Sequence, residues 1–268
     1  MRSDAPIGVF DSGVGGLTVL RTLLQRLPDE HTVYLGDTAR VPYGTRSAEV
    51  VTRYALISAR HLTGHGIKML VVACNTVSAH SLPALQKALP IPVVGVIEPG
   101  AQAAAARNRG GSIAVLATPG TVASGAYQAA LRRLAPMATV VARACPLFVP
   151  LAEEGWTEGD VPRLVAERYL GDLRRMGVDT AVLGCTHYPL LYRPIAEALG
   201  RDVAIVDSAE ATADAVRDLL DKHDLRRAAA GPARHRTLCT DLPDRFRAVA
   251  ERFLGRPVEN VELVDLSP

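Results

Sequence analysis

The sequence predicts an α/β protein built from two similar doubly wound, mostly parallel-sheet domains with a cleft between them. Three observations carry this. Short apolar runs alternate with helically spaced stretches along almost the whole chain. An opening segment, Ile7 to Gly13, has a counterpart in Ile113 to Gly120. Two cysteine motifs, Ala73-Cys74-Asn75-Thr76 and Gly184-Cys185-Thr186-His187, each follow an apolar run and precede a helical pattern.

Taken in order, strands are expected at 7–10, 33–35, 69–73, 93–96, 113–117, 140–144, 180–183, 204–206, 236–239 and 261–264. Most are short apolar runs bounded by polar or turn residues, the signature of strands buried on both faces. Helices are expected over 17–27, 48–65, 81–89, 121–134 and 162–176, among others. The repeat divides the chain into a first domain, 1–97 plus 207–268, and a second, 98–206. The segment beyond Val206 has no counterpart at the end of the first repeat, so it is expected to join the first domain's sheet.

Composition excludes little but excludes it usefully. With 268 residues and a formal net charge of +2, the chain lacks the basic bias of a nucleic-acid or membrane-surface binder. No apolar run approaches the roughly 20 residues of a membrane span, and residues 1–6 do not resemble a signal peptide. A cytoplasmic protein is expected. Four cysteines without a C-x-x-C spacing argue against a disulfide scaffold or zinc ribbon. Cys145 and Cys239 sit in apolar surroundings and read as small buried residues.

Ligands of such sheets bind beyond the carboxyl ends of the strands, and the polar residues of interest gather in those loops. The Asp11–Gly16 loop admits three readings. It lacks the G-x-G-x-x-G spacing and a Walker lysine, which disfavours a phosphate loop. Asp11 could merely cap the following helix, or it could be an active-site carboxylate held at the strand end. Cys74 and Cys185 also admit three readings: metal ligands, for which further ligands at suitable spacing are missing; buried structural residues, which would leave their polar neighbours unexplained; or a reactive pair. A thiol at a helix start beside hydroxyls and an imidazole can be held partly as thiolate.

Two reactive thiols on opposite walls suit a reaction that takes a proton from one face of a carbon and returns one to the other. That is the logic of a racemase or epimerase. Pyridoxal phosphate would need a Schiff-base lysine. Lys68, Lys87 and Lys222 are the only lysines, and none falls at a strand's carboxyl end. A reaction without cofactor or metal is expected.

These residues make the chain resemble the glutamate racemases of the cofactor-independent aspartate/glutamate racemase superfamily. The resemblance covers nearly the full length. Its marks are Phe10 to Leu17, Gly36-Asp37, Pro42-Tyr43-Gly44, both cysteine motifs with Tyr188-Pro189, and Cys145 to Pro150 with Glu153-Glu154-Gly155. It implies Cys74 and Cys185 as the two bases, Asp11 assisting Cys74, and His187 assisting Cys185, with Glu153 near the second thiol. Ser12, Pro42, Tyr43, Gly44, Asn75, Thr76 and Thr186 would bind substrate, joined by Thr118 and Thr121. It further implies interconversion of L- and D-glutamate for peptidoglycan in a bacterium, a homodimer, and in some lineages an interaction with DNA gyrase. Alternatives are an aspartate racemase or other thiol-based isomerase, a redox-sensing ligand-binding module, and a regulatory partner of another macromolecule.

Overall fold

The computed structural model describes residues 3–228 and 231–266. The first lobe's core runs β1 (Ile7–Asp11), α1 (Leu17–Arg26), β2 (Thr32–Gly36), α2 (Ala48–Gly64), β3 (Met69–Val72), α3 (Asn75–Ala88) and β4 (Val93–Gly95). The chain then crosses through α4 (Ile97–Arg107) to β5 (Ser112–Ala117), α5 (Pro119–Ser124), α6 (Ala126–Leu134), β6 (Val140–Ala144), α7 (Phe148–Glu153), α8 (Asp160–Leu170), β7 (Val178–Gly184), α9 (Tyr192–Leu199) and β8 (Ala204–Asp207). It returns through α10 (Ser208–Lys222) to β9 (His235–Cys239), α11 (Pro243–Leu254) and β10 (Val261–Leu263).

Two sheets result, and every paired strand in them is parallel. One has the order β10-β9-β2-β1-β3-β4 and the other β6-β5-β7-β8. All ten expected strands are present within two residues at each end, and the chain's last two strands do extend the first sheet. The central strands β1 and β3 are buried at every position because helices cover both faces. One apolar cluster runs from Val9 and Tyr34 of the first sheet through Leu17 of α1 and Phe253 of α11 to Leu183 and Tyr188 of the second. Separate clusters fill the far face of each sheet.

The helices depart from expectation in three places, each for a local reason. α3 begins at Asn75, directly after Cys74, six residues ahead of the expected start; its first turn is polar and hides the apolar period. The stretch 121–134 is two helices, because Gly125 takes a left-handed conformation (φ 69°) that ends α5 and opens α6. The stretch 162–176 is α8 from Asp160 to Leu170 followed by a 3-10 turn over Leu173–Met176, closed by left-handed Gly177.

Candidate active site

The parallel strands point their carboxyl ends at one region, and the loops there carry the candidate residues. Cys74 caps α3 in an extended conformation (φ −71°, ψ 123°), which turns the chain from strand to helix at the thiol. Cys185 follows β7 and leads into a 3-10 turn over Tyr188–Leu191. A cavity of about 220 Å³ is lined by both cysteines, one from each sheet. Ser12, Pro42, Tyr43, Gly44, Asn75, Thr76, Thr118, Glu153, Thr186 and His187 line it too. Asp11 and Thr121 do not: Asp11 is fully buried behind the glycine loop, and Thr121 stands behind Thr118. Sequence reasoning left out Gly13, Val41, Thr45, Pro119, Pro146, Val149 and Pro150, which complete the wall. A larger hollow of about 410 Å³ adjoins it and shares Gly13, Val41 and Glu153.

The first thiol is held as a thiol. Burial, reinforced by the charge of Asp11, pushes Cys74 up to about 12, although Ser12 and the Val77 amide pull the other way. Ser12 Oγ lies 3.4 Å from Cys74 Sγ. Asp11 Oδ2 accepts from the Gly13 amide at 2.9 Å, while Oδ1 is buried without a partner among the described residues. Burial raises the Asp11 carboxyl above its ordinary range, against the pull of His187. Asp11 is therefore a carboxyl that can carry a proton.

The second thiol has a different neighbourhood. Cys185 Sγ lies 3.8 Å from His187 Nδ1, and His187 Nε2 lies 2.9 Å from Glu153 Oε1. Burial alone would lower His187, but the hydrogen bonds to Cys185 and Glu153 outweigh it and bring it up to about 10. Burial pushes Glu153 upward, but the hydrogen bond to His187 and the charges of His187 and Arg245 together more than reverse that, leaving it lowered. Phe253 of α11 stacks edge-on against the imidazole, ring centres 5.1 Å apart, and Arg252 Nη1 donates to the Glu153 carbonyl at 2.7 Å. The C-terminal return thus buttresses the acid–imidazole pair, a role no local sequence signal announces.

Asp37, at the end of β2, orders the 38–47 loop. Its Oδ2 accepts from Arg40 Nε at 2.6 Å and from the Tyr43 hydroxyl, and its Oδ1 accepts from Thr240 at 3.0 Å. Across the cleft, the hydroxyls of Thr76, Thr118 and Thr121 form a ring, with Thr76 3.0 Å from Thr118 and 3.2 Å from Thr121. The Gly120 amide donates to the Gly44 carbonyl at 2.8 Å, and Thr18 Oγ1 donates to the Thr186 carbonyl at 3.2 Å. At Gly15 the two lobes touch closely: a Cβ there would lie 2.3 Å from Thr186 Oγ1. Only glycine allows that approach. All four cysteines are free, and no cluster of three or more metal-ligating side chains occurs among the described residues.

The model of the Asp/Glu/Hydantoin racemase family matches residues 7–216. A glutamate racemase of Geobacter metallireducens is 56% identical over 260 residues, covering 97% of this chain and 96% of the relative. The chain belongs to the glutamate racemase family. Among solved structures of that family, RacE1 of Bacillus anthracis superposes with a TM-score of 0.93 at 40% identity, with 99% of each chain covered. The Francisella tularensis enzyme, solved in complex with D-glutamate, gives 0.92 at 36% identity, with 98% of each chain covered. The family model stops short of α11, so the Phe253 and Arg252 contacts lie beyond the part that it describes.

Proposed function

We propose that this chain racemises glutamate without a cofactor, with Cys74 and Cys185 as the two bases. One observation carries the assignment: two free cysteines, contributed by different sheets, line a single small cavity. For one direction of turnover, His187 takes the proton of Cys185 and the sulfur then removes the substrate's α-hydrogen. The Cα–H bond breaks and a new S–H bond forms. The carbanion takes a proton from Cys74 on its other face, which inverts the centre. Asp11, whose carboxyl burial keeps protonatable, stands behind Cys74 to restore its proton. The reverse reaction exchanges the two thiols.

An α-hydrogen is a very weak acid, so the site must stabilise the developing carbanion by about 8 kcal/mol or more. Fixed donors around the two carboxylates supply this in a site that excludes water. Ser12, Tyr43, Gly44, Asn75, Thr76, Thr118 and Thr186 are assigned to them, with Pro42 shaping the wall and Thr121 acting from behind, through the hydroxyls of Thr76 and Thr118. Lobe boundaries at 97/98 and 206/207 place one thiol in each lobe and let closure bring the pair to the substrate. A homodimer and a cytoplasmic place in peptidoglycan precursor synthesis belong to the same proposal. Light scattering tests the dimer, and co-purification tests a gyrase contact.

The deciding experiment follows L-glutamate by circular dichroism without added pyridoxal phosphate, and solvent deuterium into Cα. Loss of optical activity with deuterium incorporation supports the assignment. Turnover of aspartate with none of glutamate would move it to the sister reaction, and exchange without inversion would remove the second base.

A further inference from the structure

Tyr127 is the second residue of α6 and is fully buried, yet its hydroxyl reaches out of the second lobe to the first thiol loop. It donates to Asn75 Oδ1 at 2.7 Å. Asn75 stands next to Cys74 and lines the cavity, and its Nδ2 is buried with no partner among the described residues. We propose that Tyr127 is a positioning residue, which locks the Asn75 amide with its NH2 group turned toward an acceptor oxygen of the substrate. This builds on the glutamate assignment above.

The direction of the amide follows from proton counting. A phenol has one proton to give. The phenol's one proton goes to Asn75 Oδ1. The Ser208 side chain stands beside the same phenol at Gly100; burial pushes the phenol pKa up, and the Ser208 hydroxyl pulls it down less strongly, as a donor does. The amide oxygen is then occupied and the donor end remains. A buried donor without a partner is costly, and a carboxylate oxygen in the cavity relieves that cost with a charge-assisted bond. The unmet Nδ2 is therefore a half-built contact, completed by an anionic ligand.

The ring is held as firmly as the hydroxyl. A Cβ at Gly184, the residue before Cys185, would lie 3.1 Å from Tyr127 Cε2. A Cβ at Gly100 of α4 would lie 3.1 Å from the Tyr127 hydroxyl and 3.0 Å from Ser208 Cβ. One side chain thus meets the approaches to both thiols and both segments, α4 and the start of α10, by which the chain passes between sheets. Its position registers how the lobes sit.

The test is steady-state kinetics of Tyr127→Phe in both directions, alongside Asn75→Ala and the double variant. Tyr127→Phe keeps the ring and both thiols, so KM for L- and D-glutamate should rise roughly tenfold while kcat stays within about twofold. The kcat/KM must fall equally in both directions, because the two enantiomers have equal free energy. In the Asn75→Ala background, Tyr127→Phe should change KM less than twofold, since the amide it orients is gone. A general packing role would instead lower thermal stability and leave the two effects additive. Should Tyr127→Phe not fold, Ser208→Ala removes the group that directs the phenol proton; a severalfold rise in KM supports the assignment and an unchanged KM overturns it. A racemising enzyme whose KM ignores Tyr127→Phe, or full additivity in the double variant, refutes the tyrosine's role alone. An unaltered enzyme that fails to racemise glutamate refutes the functional assignment.

Discussion

A single methyl group at Gly15 should cost most of the activity while leaving the fold in place. Its Cβ would fall 2.3 Å from Thr186 Oγ1 and 2.5 Å from His187 Nδ1, whereas ordinary contact begins near 3.4 Å. These are not the flexible ends of long side chains, so the Cys185–His187 loop must retreat by about 1 Å. Overpacking of this kind costs about 1–3 kcal/mol. At about 2–4 °C per kcal/mol for a chain of this size, Tm should fall by roughly 2–12 °C. Displacement of the reacting groups by about 1 Å costs about 100-fold in rate. Gly15→Ala should therefore lose about two orders of magnitude in kcat, read by circular dichroism of glutamate, with a modest drop in Tm by calorimetry. Gly64→Ala is the matched control: nothing lies within 4 Å of a Cβ there, at the end of α2. It should be neutral or raise stability by about 0.5–1 kcal/mol. A Gly15→Ala enzyme with kcat within threefold of the parent would refute the claim that the lobes meet this closely during turnover.

Cys74→Ser and Cys185→Ser should each abolish racemisation, since a hydroxyl is a far weaker acid than a thiol; near-normal turnover in both directions by either variant would end the two-base assignment. In Glu153→Gln the imidazole loses a charged partner, so the His187 pKa should drop from about 10. A raised folded pKa contributes stability that is complete below about 6.5 and disappears as pH rises through about 10. The variant should begin to lose stability and rate at lower pH, visible in Tm and kcat profiles; an unmoved alkaline limb would contradict the pairing. Lys68 is buried with Glu30 at 2.5 Å and also donates to the Leu225 carbonyl at 2.7 Å. Lys68→Met strands that carboxylate and should destabilise by about 3–5 kcal/mol in denaturant titrations, with KM unchanged because the pair lies at the amino ends of the strands.

The strands were legible because parallel strands covered on both faces read as unbroken apolar runs, as β3 does from Met69 to Val72. The start of α3 was not legible, for the same reason that it matters: Asn75, Thr76 and Ser78 replace apolar period with cavity and cap chemistry. Both cysteines, His187 and the second opening loop could be nominated from position alone; Thr118 and Thr121 within it came from the family resemblance. Their grouping could not. The Thr76–Thr118–Thr121 ring joins residues more than forty positions apart. Tyr127 and Phe253 look like ordinary core aromatics in their helices, and only the packed lobes reveal what they touch. Asp11 was nominated as an active-site carboxylate assisting Cys74, and it lies behind the wall rather than on it.

The chain passes from the first sheet to the second after β4 and comes back after β8. Two bodies tied by one strap can swivel freely; tied by two, they bend like a book with a stitched spine. Any closure of the lobes would then carry each sulfur along a fixed arc toward the other, so that a small molecule caught in the fold would meet both from predetermined directions. Chirality is read and rewritten by the binding.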